Sequence, residues 1–183
     1  MLTVPAFGET PDMPKLSGRS AVLADSSGHV IFEKNAHESL PPASVTKIMT
    51  MLLVMEAIDE GRISMEDAVC ASEHASSMGG TQIYLKPGEE MSVKDLMKST
   101  AVSSANDAAV ALGEHIAGSE EEFVKLMNAR AEELGMEDTT FKNCTGLDAD
   151  GHVTSAYDIM LMSVELLKHP EIKEFTTIWT DTV

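Results

Sequence analysis

The sequence predicts an α+β fold, a β-hairpin followed by a lobe of about five helices, and three observations carry that reading. Two short β-type runs, "SAVLAD" (Ser20–Asp25) and "HVIFEK" (His29–Lys34), flank an "SSG" turn. After them the apolar residues recur at helical rather than alternating spacing. Serines followed three residues later by an acidic residue then mark successive helix starts.

The hairpin needs a turn with positive φ, and the glycine of "SSG" supplies it. From Ser44 onward Val45, Ile48, Met49, Leu52, Leu53, Met55 and Ile58 trace a helix until Gly61 stops it. "SVKDLMKSTAV", "SEEEFVKLMNARAEELG" and "SAYDIMLMSVELLKHP" each open on a capping serine, Ser92, Ser119 and Ser155, with Asp95, Glu122 and Asp158 placed to return to the free amide. Gly135 and Pro170 provide stops. "SANDAAVALGEHIAG" is an alanine-rich, close-packing helix that begins at about Ser104 or Ala105 and ends near Gly118. The glycine pair and Pro-Gly turn of "SSMGGTQIYLKPGEE" (Ser76–Glu90) predict an irregular loop. The final "FTTIWTDTV" reads as one further strand. A two-stranded hairpin is marginal alone, and nothing after Lys34 offers several strong strands to pair with it.

Composition narrows the class. With 43% hydrophobic and 23% charged residues, the 183-residue chain is a folded globular domain. Its net charge of −17, from 13 basic and 30 acidic side chains, repels phosphate backbones and argues against nucleic acid. The longest apolar run, Ile48–Met55, is far short of the roughly 20 residues that span a bilayer, and no basic-then-apolar leader opens the chain. Cys70 and Cys144 lack metal-type spacing and read as two isolated buried thiols, with a disulfide as the alternative. The six histidines lack ligand spacing and read as surface or cap residues rather than metal ligands. Asp148 and Asp150 sit in a Gly-rich loop as turn residues, and the 13 methionines fill core gaps.

The chemistry centres on "PPASVTKIMT". A Ser-x-x-Lys arises about once by chance in a chain of this length, and Ser44 as a helix cap with Lys47 solvated in the first turn is an adequate structural account. Two details oppose it. A lysine in the first turn opposes the helix dipole, and the apolar run after Lys47 must bury it. Residues three apart share a helix face, so the amine reaches the hydroxyl. A serine attacks only when a base takes its proton, and an amine is such a base only where its pKa is depressed. Some 60 residues later Ser104 and Asn106 bring a hydroxyl and a carboxamide to the start of another helix, where cap and first-turn roles are again the structural account.

The two motifs in this order, Ser44-x-x-Lys47 and Ser104-x-Asn106, resemble the penicillin-recognising serine acyl-transferases. "SSMGGTQIYLKPGEEMSVKDLM", "SANDAAVALGEHIAGSEEEFVKLMNARAEELGM", "TGLDADGHVTSAYDIM" and "ELLKHPEI" look like the serine-type D-alanyl-D-alanine carboxypeptidases, low-molecular-mass penicillin-binding proteins, of a DacF-like, sporulation-associated branch. The resemblance implies a β-lactamase/transpeptidase-like fold. Residues 1–19 are then an N-terminal extension, and 20–183 an incomplete penicillin-binding transpeptidase-like catalytic domain. It implies Ser44 as nucleophile, Lys47 as general base, Ser104 as proton relay to the leaving D-alanine and Asn106 as a substrate-binding group, with Gly79-Gly80 bordering the site. It implies no metal and no cofactor. The partners would be a peptidoglycan stem peptide ending in D-Ala-D-Ala and β-lactams, at the outer face of the bacterial membrane or in secreted form, with roles in cell wall biogenesis and cell shape.

The family's third motif, a Lys-Thr-Gly strand with a cationic side chain and an oxyanion-hole amide, does not occur in these 183 residues. Its signal peptide, second domain and membrane-binding helix are likewise not read. The expectation is a chain that lacks carboxypeptidase activity by itself and self-associates through an unpaired sheet edge. Two other readings are weighed. A β-lactamase relative would carry Ser-Asp-Asn and a glutamate-held water, where this chain has Ser-Ala-Asn and no clear glutamate counterpart. A non-catalytic peptidoglycan-binding or scaffold fragment would keep the lobe without the chemistry.

Overall fold

A computed structural model describes residues 16–182, so the first 15 residues of the expected N-terminal extension lie outside the described residues. Strands β1 (Ala21–Ala24) and β2 (Val30–Lys34) form the expected antiparallel hairpin, with Ala21 opposite Lys34 and Leu23 opposite Phe32. Its turn is built on the Asp25 carboxylate, which accepts from the amides of Ser27 and His29, and on Gly28 at φ +84°. The turn rests on Met160 and Val164, and on the other side Leu23 and Ile31 are exposed.

The helical lobe is organised around α1 (Lys47–Asp59). Nine of its thirteen residues are buried, so it presents no solvent stripe and is enclosed on all sides. It packs against α3 (Val93–Val102), α4 (Asn106–Ala117), α5 (Glu120–Glu133) and α6 (Ala156–Leu166). These are the five long helices the periodicity predicts. Met49, Met55, Met97, Met127 and Met162 fill the centre with Leu52, Leu96, Leu112, Phe123 and Phe141, as unbranched, polarizable side chains suit an irregular interior.

The serine caps form as expected, but the acidic partners behave differently. Ser92, Ser119 and Ser155 accept from the amides of Asp95, Glu122 and Asp158. Asp95 then accepts from the Ser92 hydroxyl, Glu122 pairs with Lys125, and Asp158 turns away to the Asp138 amide and the Thr139 hydroxyl. None returns to its cap's amide.

Four expectations are corrected. Ser44 caps nothing: residues Ala43–Thr46 form a 3-10 turn, and α1 starts at Lys47. The final segment is not a strand. Pro170–Ile172 is a 3-10 turn and Lys173–Thr176 a short helix, α7, anchored by buried Ile172 and Phe175, after which Trp179 stands 96% exposed. Cys70 is exposed and only Cys144 is buried, both free. Cys70 closes strand β3 (Ala68–Cys70), of which Val69 alone faces the core. β3 pairs with β4 (Glu90–Ser92) in a second two-stranded sheet that the sequence reading missed, enclosing a four-residue helix, α2 (Glu73–Ser76), and the loop after it.

An isolated bridge between Leu40 and Thr154 ties the segment before the 3-10 turn to the long connection between α5 and α6, and a second, Thr140 with Val153, closes that connection on itself. That lateral tie brings both segments to one end of α1. Gly113 of α4 lets α5 approach closely, because a Cβ there would lie 2.8 Å from Phe123 Cδ1. Gly113→Ala is therefore expected to destabilise the lobe by about 1–3 kcal/mol through overpacking. Chemical denaturation checks this, and an unchanged midpoint would show that Phe123 yields freely.

Candidate active site

The Ser44 hydroxyl lies on the exposed 3-10 turn, whose first residue, Ala43, has φ +48°. Such a turn needs support, because left-handed backbone costs a residue with a Cβ roughly 1 kcal/mol or more. Gly146 supplies it. Its backbone, at φ +87°, packs so tightly on the 43–44 peptide that a Cβ would sit 1.8 Å from the Ala43 carbonyl oxygen. No other residue type fits without moving one of the two segments.

Lys47 is 2% exposed. Its Nζ donates to Asn106 Oδ1 and to the Thr145 carbonyl oxygen, each at 2.7 Å, and lies 3.4 Å from Ser44 Oγ. Among the described residues no carboxylate pairs with it. Burial removes water from the ammonium, uncompensated by an anion, and lowers its pKa from 10.5 to about 8. At neutral pH about a tenth of the molecules then carry a free amine, against fewer than about one in a thousand for an ordinary lysine. The hydrogen bonds define what that amine does. A neutral Nζ has two N–H bonds, which the two carbonyl oxygens take, and its lone pair is left toward Ser44.

Asn106 begins α4 and joins three parts of the site. Oδ1 accepts from Lys47, Nδ2 donates to the Gly79 carbonyl at 2.7 Å, and its backbone amide donates to Thr81 at 2.8 Å. Gly79-Gly80 is thereby held beside the motif residues, as the resemblance implies. The neighbouring Asp107 is fully buried and accepts from the amides of Ile83, Leu85 and Ala108. It clamps the loop on both sides of Tyr84, which is 78% exposed at φ +63°. Ser104 stands half-buried before α4 at φ +57°. Ala105, not Ser104, occupies the cap position. No hydrogen bond joins Ser104 to Ser44 or Lys47 among the described residues.

The structure adds residues that sequence reasoning missed, most of them from the connection between α5 and α6. Asn143 Oδ1 accepts from the Thr145 and Gly146 amides, and its Nδ2 donates to Leu147, shaping residues 143–147 into a self-supporting loop. Thr50, one turn along α1 from Lys47, donates to the Cys144 carbonyl at 2.8 Å. His152 is buried rather than at the surface. The Lys142 amide donates to its Nδ1, which leaves the proton on Nε2, 2.9 Å from Thr46 Oγ1. Burial holds this imidazole below its ordinary pKa and keeps it in that neutral bridging form. A cleft of about 380 Å³ beside the nucleophile turn is bounded by Pro42, Ala43, Gly146, Leu147 and His152.

A serine hydroxyl at the mouth of an enclosed helix, facing a buried amine without a counter-ion, makes this a candidate serine-type acyl-transfer site. Comparison with known proteins gives the family. A family model described as D-alanyl-D-alanine carboxypeptidase matches residues 8–183. The D-alanyl-D-alanine carboxypeptidase DacF of Bacillus subtilis is 57% identical over 164 residues, covering 89% of this chain and 42% of its own length. The crystal structure of DacD from Francisella tularensis superposes with a TM-score of 0.89 at 34% identity, covering 95% of this chain and 43% of that one. Penicillin-binding protein D2 of Listeria monocytogenes, in an ampicillin-bound form, gives 0.81 at 35% identity, covering 95% and 71%. The chain belongs to the D-alanyl-D-alanine carboxypeptidase family, peptidase S11, and spans about two fifths of the length of the DacF and DacD relatives.

The amine's burial has a thermodynamic signature. The unfolded chain holds the Lys47 proton up to about 10.5 and the folded chain only to about 8. Between those values the unfolded state binds more protons, so stability rises with pH across the window, by up to about 3 kcal/mol. Unfolding free energies measured from pH 7.5 to 10.5 are expected to show this rise for the native chain relative to Lys47→Met. Parallel curves for the two would contradict a depressed pKa.

Proposed function

We propose that this chain carries the nucleophile and base of a D-alanyl-D-alanine carboxypeptidase, which removes the terminal D-alanine from peptidoglycan stem pentapeptides and is acylated by β-lactams. The observation that carries the reading is the Lys47 amine, buried without a counter-ion, fixed by two carbonyl oxygens and turned toward Ser44. In the proposed reaction Ser44 Oγ attacks the carbonyl between the two D-alanines while its proton passes to Lys47. The C–N bond then breaks as the leaving amine takes a proton through Ser104, and water hydrolyses the Ser44 ester. Asn106 holds the substrate amide. Because Oδ1 and Nδ2 already serve Lys47 and Gly79, that role requires the carboxamide to share or exchange a partner when substrate enters.

A β-lactam amide is the same electrophile in strained form, and the Listeria relative with ampicillin supports it as a ligand. The same reading places the protein at the outer face of the bacterial membrane or in secreted form, acting in cell wall biogenesis and cell shape, with a sporulation role implied only by the resemblance to the DacF-like branch. Labelling of the full-length protein with a fluorescent penicillin, followed by peptide mapping, tests it. The adduct is expected on Ser44, absent in Ser44→Ala and about 10²- to 10⁴-fold slower in Lys47→Arg, which cannot act as a base. The labelling rate is expected to rise with pH through about 8 as Lys47 loses its proton. An adduct elsewhere, or none, would favour a non-catalytic peptidoglycan-binding role.

Residues 1–183 alone are a separate case. Loss of one oxyanion donor typically slows such chemistry by about 10²- to 10³-fold, and the resemblance assigns one donor to a Lys-Thr-Gly strand that these residues do not contain. The purified fragment is expected to turn over a D-Ala-D-Ala peptide at least about 10²-fold more slowly than the full-length protein. It is also expected to sediment as an oligomer, through the open edges of the β1–β2 hairpin. A monomer with full turnover would sink both expectations.

A further inference from the structure

The loop that gives Lys47 its second acceptor is held from outside the site. Glu120, the first residue of α5, places Oε1 3.1 Å from the Cys144 amide nitrogen and 3.4 Å from Cys144 Sγ, accepting from both. Its Oε2 lies 2.7 Å from His74 Nε2 on α2. The Cys144 carbonyl accepts from Thr50 of α1, so residue 144 is pinned at both its N–H and its C=O. The next carbonyl along the chain, that of Thr145, is the one that accepts from Lys47.

The first turn of α5 carries three glutamates, and they are not equivalent. Glu121 and Glu122 pair with Lys125 at the surface, where either satisfies the helix dipole. Glu120 alone turns inward, its side chain 16% exposed, to a backbone amide that is otherwise buried without an acceptor. Losing that acceptor leaves a buried N–H unsatisfied, which favours a shift of the loop that presents the Thr145 carbonyl two peptides further on.

We propose that Glu120 is a positioning residue for the Lys47 base, clamping the Cys144 amide so that the Thr145 carbonyl stays within reach of Nζ. Its catalytic meaning rests on the carboxypeptidase reading above. Glu120 forms no ion pair with Lys47, so the clamp works through geometry and not charge. Glutamine, whose carbonyl oxygen accepts the same N–H, replaces it, and alanine does not.

The test separates binding from acylation in the full-length protein, using a fluorescent penicillin. Glu120→Ala is expected to lower the limiting acylation rate about tenfold while leaving the pre-acylation binding constant within about twofold. Glu120→Gln is expected to retain that rate within about twofold. A limiting rate for Glu120→Ala equal to that of the unsubstituted protein would overturn the proposal, as would Glu120→Gln being as slow as Glu120→Ala. If Glu120→Ala does not fold, His74→Ala, at a half-exposed position, takes its place: an expected drop of about threefold supports the clamp, and no drop overturns it.

If the unsubstituted protein is not acylated at all, the carboxypeptidase reading fails and the clamp is judged by NMR titration of the Lys47 Cε resonance. Loosening the 143–147 wall admits water, which opposes the desolvation that depresses this lysine, so Glu120→Ala is expected to raise the midpoint by about one unit. Glu120→Gln leaves it in place. Equal midpoints in all three proteins would overturn the clamp independently of activity.

Discussion

The site depends on keeping one amine buried without an anion. Lys47 could be neutralised at little structural cost by a nearby carboxylate, and the chain has 30 acidic side chains to draw on. A carboxylate at about 4 Å, at an effective dielectric near 20, would hold the ammonium with about 4 kcal/mol, worth about three pKa units. That would cancel the whole depression and leave an ordinary charged lysine. The structure instead offers Asn106 Oδ1 and the Thr145 carbonyl. Neutral oxygens satisfy the N–H bonds in either protonation state without locking the proton on. The requirement reaches well beyond the amine: α1 must be enclosed all round, and the two acceptors must arrive from elements 59 and 98 residues away.

The same constraint explains where the backbone is strained. Among the described residues the non-glycine positions with positive φ are Asn35, Ala43, Tyr84 and Ser104, and Ala43 and Ser104 stand directly beside the motif residues. Each such residue costs on the order of 1–3 kcal/mol and persists only where its surroundings over-determine it. Ala43 is backed by Gly146, and the peptides flanking Tyr84 are tied to the buried Asp107. Ser104 is bracketed by the Ala105 amide bonded to Ser99 and the Asn106 amide bonded to Thr81. Stability gained in the methionine-rich core offsets strain concentrated at one end of α1.

Much of this was legible in the sequence because it is local. Helix starts at Ser92, Ser119 and Ser155 depend on a side chain three residues from the amide it caps, and all three form. Ser44 and Lys47 stood out not by spacing, which chance supplies, but by a lysine placed against the helix dipole at the head of an apolar run. What could not be read was supplied by backbone. The Thr145 carbonyl has no side-chain signature, and Gly146 looked like any turn glycine until its contact with Ala43 was seen. Strands β3 and β4, three residues each, are too short for alternation to register. The terminal "FTTIWTDTV" has strand-like composition but no partner among the described residues, and the first of these residues complete a helical turn instead.

These features make the lobe's folding and its chemistry one problem. Lys47 Nζ is oriented by α4 through Asn106 and by the 143–147 loop through Thr145, and each of those is fixed again at a distance: Asn106 by Gly79 and Thr81, the loop by Thr50 and Glu120. A shift in either wall changes which atom takes the second N–H of the neutral amine, and so where its lone pair points. A 3.4 Å approach to Ser44 Oγ leaves little slack, because a misplacement of about 1 Å in such a pair can cost about a hundredfold in rate. Hence, in the proposed reaction, the serine can sit on an exposed turn while its base cannot. A nucleophile needs access, whereas a buried amine needs an unbroken enclosure, and Thr50, Asn106 and Thr145 are buried polar residues that hold it in place.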